Sequence, residues 1–175
     1  MMLKQFFTAI ALVAVTAAPA LADANADVQN AMIAFTKLSS YHMEITTEKS
    51  RTIVADYASP GRYHTTSAGF ESIIIGPTMY MKMNGAWKKL PGSMGSMTDY
   101  TKNLTEHPHG IVVTAIGPRV VGGVPLRAYH VTDGATRRTQ TVFLDGTGRV
   151  VRIETGSMVM TVSRFNAPIS IHAPM

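Results

Sequence analysis

Three methionines alternate with other residues in the run Met79-Tyr80-Met81-Lys82-Met83. Because successive side chains of a strand point to opposite faces, a strand here would place these thioethers on one face. Thioethers are flexible and polarizable, so they suit a wall that accepts apolar partners of variable shape. Ordinary core filling is an alternative explanation. Copper(I) binding by soft ligands is another, although same-face residues stand about 6.5 Å apart, too far for one ion without neighbouring strands.

The remaining candidate residues point away from catalysis. His107-Pro108-His109 places two histidines in a stiff loop with no third histidine nearby in sequence, which is typical of solvated side chains. There is no Gly-x-Ser-x-Gly elbow, His-Glu-x-x-His helix or phosphate-binding glycine loop. We therefore expect no enzyme activity, no resident metal and no cofactor. Four further histidines on predicted strands are expected at the surface: His42, His64, His130 and His172.

Charge and cysteine content exclude further classes. The chain has 175 residues, a net charge of +5 and no cysteine. Lysine and arginine are scattered without a basic stripe, so we expect no nucleic-acid partner. Without cysteine there can be no disulfide, no thiolate metal site and no lipid-modified N-terminal cysteine. The expected protein is a monomer without a lipid anchor.

The first residues have the layout of a cleaved secretory signal. Lys4 precedes the apolar stretch Phe6 to Val15, and Ala20-Leu21-Ala22 is a small-residue cleavage site. We expect residues 1–22 to be the signal peptide, residues 23–175 to form one domain, and the protein to reside in the periplasm. No later apolar segment is long enough to cross a membrane.

Apolar periodicity predicts two helices among many strands. Offsets of three and four predict an amphipathic helix from Asp27 to Leu38, with Asn25 or Asp27 as its cap, and a short central helix from Ser93 to Leu104. From Tyr41 the period changes to two, and Asn84-Gly85 predicts a hairpin. The predicted strands include Thr52 to Tyr57, Arg62 to Thr66, Glu71 to Ile75, Thr78 to Met83, Ala86 to Leu90, Ile111 to Ile116, Arg119 to Val121, Pro125 to Thr132, Thr139 to Leu144, Val150 to Thr155 and Met158 to Phe165, with Ile169 to Ile171 as a further edge strand.

This pattern predicts an α+β fold with one large curved antiparallel sheet, a half-open β-barrel of about 10–11 strands. A sheet of this length needs cover on its concave face to be buried. The N-terminal helix and the short central helix are expected to supply that cover.

The order of elements resembles the periplasmic lipoprotein-carrier and lipid-binding superfamily, typified by LolA and the LprG-like lipoproteins. The resemblance lies in Ser40-Tyr41-His42-Met43, in the hairpin from Met79 to Lys89, and in the closing Arg164-Phe165-Asn166-Ala167-Pro168-Ile169-Ser170-Ile171. It implies a half-open sheet that encloses an apolar cavity for acyl chains. The missing cysteine departs from the LprG-like lipoproteins.

Together, the pattern and the resemblance predict a binding or carrier protein for a lipid, an acyl chain or lipoprotein acyl groups. A copper-binding protein and a structural or partner-binding envelope protein without ligand are the alternatives. An envelope membrane complex is a further conceivable partner. The expected cavity lining is Phe35, Leu38, Met43, Ile45, Tyr57, Met79, Met81, Met97, Val113 and Met160.

Overall fold

The structure, a computed structural model, describes residues 23–48, 51–91 and 110–174. These residues form one helix, α1 (Ala24–Thr36), and eleven strands. The strands are β1 (Ser40–Thr47), β2 (Thr52–Ala58), β3 (Arg62–Ser67), β4 (Phe70–Ile75), β5 (Thr78–Met83), β6 (Ala86–Pro91), β7 (Ile111–Val121), β8 (Val124–Asp133), β9 (Thr139–Leu144), β10 (Val150–Thr155) and β11 (Met158–Ser163). The predicted signal peptide and central helix lie outside the described residues.

All eleven strands form one antiparallel sheet in the order β6-β5-β4-β3-β2-β1-β11-β10-β9-β8-β7. The consecutive strands β6 and β7 are its two edges, so the sheet is open. This arrangement confirms the predicted half-open, curved α+β fold with its N-terminal helix. No helix within the described ranges is long and apolar enough to span a bilayer.

Helix α1 begins earlier than predicted. Its N-cap is Asp23, whose carboxylate accepts a hydrogen bond of 3.1 Å from the backbone N–H of Asn25. The prediction that Asn25 or Asp27 caps the helix was therefore wrong. Asp27 lies inside the first turn, where its negative charge also suits the helix dipole.

The strand register fixes which side chains share a face. Tyr41, Met43 and Ile45 of β1 lie on the face that carries α1, which we call the inner face, whereas His42 and Glu44 lie on the outer face. This confirms the alternation predicted for β1. The prediction of a tight turn at Asn84-Gly85 is confirmed as well, because both residues have positive φ, 51° and 81°.

The C-terminal segment after β11 covers part of the outer face. Arg164 has a φ of 51°, which ends β11 at Ser163, and the side chain of Asn166 accepts a hydrogen bond of 2.9 Å from the backbone N–H of Ser39. The prediction of an edge strand from Ile169 to Ile171 was wrong. Ile169 and Ile171 instead pack their side chains against an outer-face cluster of Ala58, Ile73, Ile75, Tyr80 and Trp87.

Strand β7 runs through the predicted break at Gly117-Pro118. The chain accommodates these residues with a bulge between Ala115 and Gly117, where Gly117 has a φ of 82°. Pro118 lacks a backbone N–H, but within the described part of the chain β7 is an edge strand with a neighbour on one side only. The two predicted short strands are therefore one.

Candidate ligand-binding site

Helix α1 lies across the inner face over the strands β7 to β10. Val28, Ala31 and Met32 are buried on its sheet-facing side because they recur at helical spacing. They form one hydrophobic cluster with inner-face residues of β8, β9 and β10: Tyr129, Val131, Val142, Leu144, Val150 and Ile153. The helix is thus held to one half of the sheet by burial of apolar surface.

A cavity of about 210 Å³ remains between the helix and the sheet. Its lining consists of Asn25, Val28, Gln29, Met32 and Ile33 from α1 and of Ile111, Val113, Val131, Gln140, Val142 and Ile153 from the strands. Among the described residues, the lining contains no charged side chain, and its polar members are three amides. Such a site can take an uncharged apolar group by desolvation and can offer amide hydrogen bonds beside it.

The rim of this cavity lies on the helix. Asn25 and Gln29 are exposed, and Ile33 keeps 43% of its surface accessible although it lines the cavity. A large apolar side chain that is both exposed and part of a cavity wall marks the side from which a ligand would enter. The amide groups therefore stand beside the opening.

A polar contact fastens the first turn of α1 to β8. The Asp27 carboxylate accepts hydrogen bonds from the Tyr129 hydroxyl at 2.6 Å and from Arg127 Nη1 at 2.9 Å. Partial burial, followed by the hydrogen bond to Asp27, raises the pKa of the Tyr129 hydroxyl. The phenol therefore stays protonated and donates to the carboxylate at neutral pH.

Six of the ten residues predicted to line the cavity come together in a second inner-face cluster. This cluster contains Phe35, Leu38, Met43, Ile45, Tyr57 and Met160, together with Tyr41, Ala55, Val162 and Phe165. It is continuous with the first cluster, because Phe35 and Met160 pack against both. The inner face therefore presents apolar side chains from β8 to β2.

The other predicted residues divide into three cases. Val113 lines the cavity itself. Met79 and Met81 lie on the inner face near the β6 edge, since they pair with Ile74 and Ser72 in register with Tyr63 and Thr65. Met97 lies outside the described residues.

A row of contacting aromatic rings connects the helix end to the inner face. Phe35 contacts Tyr41 with ring centroids 4.8 Å apart, Tyr41 contacts Tyr57 at 4.8 Å, and Tyr57 contacts Tyr63 at 5.0 Å. Burial, then the neighbouring Tyr63 and Tyr57, raise the pKa of Tyr41 well above its usual range. The rings add rigid apolar surface with a few hydroxyl groups to the inner face.

Most of the lining under the helix was absent from the predicted set. Val28, Met32, Ile111, Val131, Val142 and Ile153 were missed. The signals existed, because Val28 and Met32 have helical spacing and Tyr129-Val131 and Val142-Leu144 alternate along their strands. The predicted set instead followed the methionines, and Met79 and Met81 lie on β5, in the half of the sheet that ends at β6.

The described lining of the cavity includes no histidine or carboxylate side chain that could bind a metal or catalyse a reaction. Within residues 23–48, 51–91 and 110–174, no three His, Asp or Glu side chains are close enough to share an ion. His42 and His64 lie on the outer face, where His42 Nδ1 is 2.7 Å from Asp56 Oδ1 and His64 Nε2 is 3.1 Å from Glu71 Oε1. Both histidines are hydrogen-bonded to these carboxylates on the far side of the sheet from the cavity.

Comparisons with known proteins show the fold. No family model matches the chain, and no curated protein matches it either. Among solved structures, the lipoprotein LppX from Mycobacterium tuberculosis is 19% identical with a TM-score of 0.65, covering 85% of this chain and 97% of LppX. LprF from Mycobacterium bovis is 16% identical with a TM-score of 0.63, covering 86% and 96%. The half-open sheet predicted from the resemblance to the LprG-like lipoproteins is therefore confirmed as the fold of this chain.

Proposed function

We propose that the protein binds an apolar ligand, an acyl chain or a lipid, between α1 and the inner face, and carries it in the periplasm. The apolar, uncharged cavity under α1 is the observation that carries this proposal. The fold shared with LppX, a protein described as a lipoprotein, supports it. The predicted signal peptide supports an extracytoplasmic location. The protein acts as a carrier and performs no chemical step.

The size of the cavity limits what fits without rearrangement. A volume of about 210 Å³ is below the roughly 300–1,000 Å³ of pockets that enclose drug-sized ligands. One short acyl chain suits the cavity as it stands. A longer ligand extends along the inner face toward the Phe35 and Met43 cluster, which requires α1 to shift.

Binding is driven by removal of apolar surface from water. Each buried methylene group contributes about 0.8 kcal/mol, so affinity rises with chain length until the cavity is full. The exposed amides Asn25 and Gln29 at the rim suit the polar end of the ligand. Release requires α1 to move away from β8, which breaks the Asp27 contacts.

Cavity filling tests the proposal with a matched pair of variants on one strand. Val113 lines the cavity, whereas its neighbour Val112 is 59% exposed on the other face of β7. We expect Val113→Trp to weaken binding of dodecanoic acid, measured by calorimetry, at least about tenfold, and Val112→Trp to leave it unchanged. Equal affinities for the two variants would rule out the cavity as the site.

Native mass spectrometry of protein purified from its own envelope discriminates the alternatives. The proposal is supported if the wild type carries bound lipid and the Val113→Trp variant carries none. A copper adduct that depends on Met79 and Met81 would support a metal carrier instead. A bare chain that also fails to bind dodecanoic acid would leave only a structural role.

A further inference from the structure

The tip of the β7–β8 hairpin projects beyond the rest of the sheet. Strand β8 pairs with β9 only from Arg127 to Thr132, while its first residues, Val124–Leu126, pair with β7 alone. As far as residues 23–48, 51–91 and 110–174 show, the last turn of the hairpin is therefore a two-stranded ribbon without a third strand beside it. Such a ribbon is available for contact with another surface.

This ribbon exposes apolar side chains. Val120 is 73% exposed and Val124 is 54% exposed, and the adjoining Pro118 and Pro125 are exposed as well. The ribbon is nevertheless anchored, because Leu126 is buried in an outer-face cluster with Phe143, and Val121 packs against that cluster. The backbone that carries the exposed valines is therefore already ordered. Binding through it costs less conformational entropy than binding through a flexible loop.

The charges around the tip are positive. From Ile111 to Thr132 the charged residues are Arg119 and Arg127. Arg127 is paired with Asp27 at 2.9 Å, so Arg119 supplies the basic charge, and the first acidic residue of the hairpin is Asp133 at its opposite end. Asp145 in the neighbouring loop is 2.8 Å from Arg149, so that pair is neutral. Arg164 follows β11 at the same end of the sheet and is exposed.

We propose that this ribbon docks the protein on an anionic lipid surface. Val120 and Val124 insert at the boundary between headgroups and acyl chains, while Arg119 and Arg164 attract the phosphates. Apolar insertion and basic charge together are what interfacial binding requires, since either alone is weak. Val113 and Val131, which line the cavity, belong to the other end of the same hairpin, so the contact orients the protein on the membrane without covering the ligand site. The proposal goes beyond the carrier function and does not depend on the ligand.

Vesicle co-sedimentation tests the contact directly. The full chain without its predicted signal peptide is mixed, at low salt, with vesicles of phosphatidylcholine alone or with one third phosphatidylglycerol. We expect binding to the anionic vesicles only. The double variant V120D/V124D should reduce the partition coefficient at least about tenfold, and Arg119→Glu should reduce it severalfold. The matched control Val112→Asp changes another exposed valine of β7, at the far end of the strand, and should bind like the wild type.

Three results would overturn the proposal. They are no binding to anionic vesicles, equal binding to both kinds of vesicle, or an equal loss in V120D/V124D and Val112→Asp. Circular dichroism spectra confirm that each variant folds, and Arg119→Glu gives a second readout outside the apolar side chains. Sedimentation velocity tests whether the ribbon instead binds a second copy of the chain. A dimer that dissociates in V120D/V124D would show that it does. Dodecanoic acid binding is measured in parallel, so failure here is separate from failure of the carrier function.

Discussion

The carboxylate of Asp27 accepts a hydrogen bond of 2.6 Å from the hydroxyl of Tyr129. Asp27 belongs to the helix that covers the cavity, and Tyr129 belongs to a strand that forms the floor beside it. Arg127 adds a second, charge-assisted contact to the same carboxylate oxygen. The apolar face of α1 gives the helix its attachment, and this polar contact sets its position along β8.

The first prediction concerns this attachment. Tyr129→Phe removes one hydrogen bond to a charged acceptor while keeping the ring, so the free energy of unfolding should fall by about 1–2 kcal/mol. Dodecanoic acid should also dissociate faster, because the cover opens more readily. Chemical denaturation and stopped-flow displacement measure the two effects. The control is Tyr80→Phe on the outer face, whose hydroxyl makes no hydrogen bond among the described residues and which should change neither quantity.

A second prediction follows from the raised pKa of Tyr129. A raised pKa in the folded protein means that the stabilisation is fully present below the ordinary tyrosine value of 10.0 and is lost as pH rises through the folded pKa. Between pH 8 and pH 11 the wild type should therefore lose more stability than Tyr129→Phe. Parallel denaturation curves for the two proteins across this range would contradict the role of the hydroxyl.

Acid should act in the turn between β9 and β10, which follows the Leu144 partner of Arg127. Partial burial alone would raise the pKa of Asp145. Hydrogen bonds from Thr147 and Arg149 outweigh this effect and lower the pKa to about 2. Its stabilisation is thus present above the ordinary value of 3.8 and is lost as pH falls toward 2. Asp145→Asn should destabilise the protein at pH 6 and have a smaller effect at pH 3, as measured by thermal unfolding. Glu48→Gln, at an exposed carboxylate, is the control and should leave the unfolding temperature at pH 6 as in the wild type.

Local patterns in the sequence predicted most of the sheet. Alternation and turn residues located Thr78–Met83, Thr139–Leu144 and Val150–Thr155 with their observed bounds, because each strand is closed by residues that favour turns. The helix cap was misplaced since Asp23, Asn25 and Asp27 are all competent caps. A tertiary contact distinguishes them, because Asp27 accepts hydrogen bonds from Arg127 and Tyr129 and does not cap the helix.

The site was harder to predict than the fold. Met43, Ile45 and Met160 were assigned to the inner face because period two fixes the face of a strand once one residue is placed. The position of α1 over β7 to β10 depends on contacts between residues about 100 positions apart, such as Asp27 with Arg127. No local pattern encodes that choice, so only Val113 of the predicted set lines the cavity under the helix, and the role of Met79 and Met81 in binding stays a prediction.

The C-terminal segment should stabilise the outer face. Ile171 is buried against Ala58 and Ile73, and the chain's single tryptophan, Trp87, packs in the same cluster. Ile171→Ala should cost about 2–4 kcal/mol of stability, since it leaves a cavity, and should shift the tryptophan emission to longer wavelength. Ser170→Ala, at the exposed neighbouring position, should leave both the denaturation midpoint and the emission spectrum as in the wild type. An unchanged spectrum in Ile171→Ala would show that the segment does not shield Trp87.

The last prediction separates an apolar wall from a metal site on the inner face. Met79→Leu together with Met81→Leu keeps side-chain volume and apolar character while removing both thioethers, so the stability change should stay below about 1.5 kcal/mol. If the wall serves only apolar contact, dodecanoic acid should bind with unchanged affinity, because leucine offers similar surface to the ligand. A copper(I) site would respond in the opposite way, since leucine has no lone pair for the ion. Competition with a chromophoric copper(I) chelator measures the metal, and calorimetry measures the fatty acid. Wild-type protein that takes copper from the chelator, with a double variant that does not, would replace the carrier proposal with a metal-binding role.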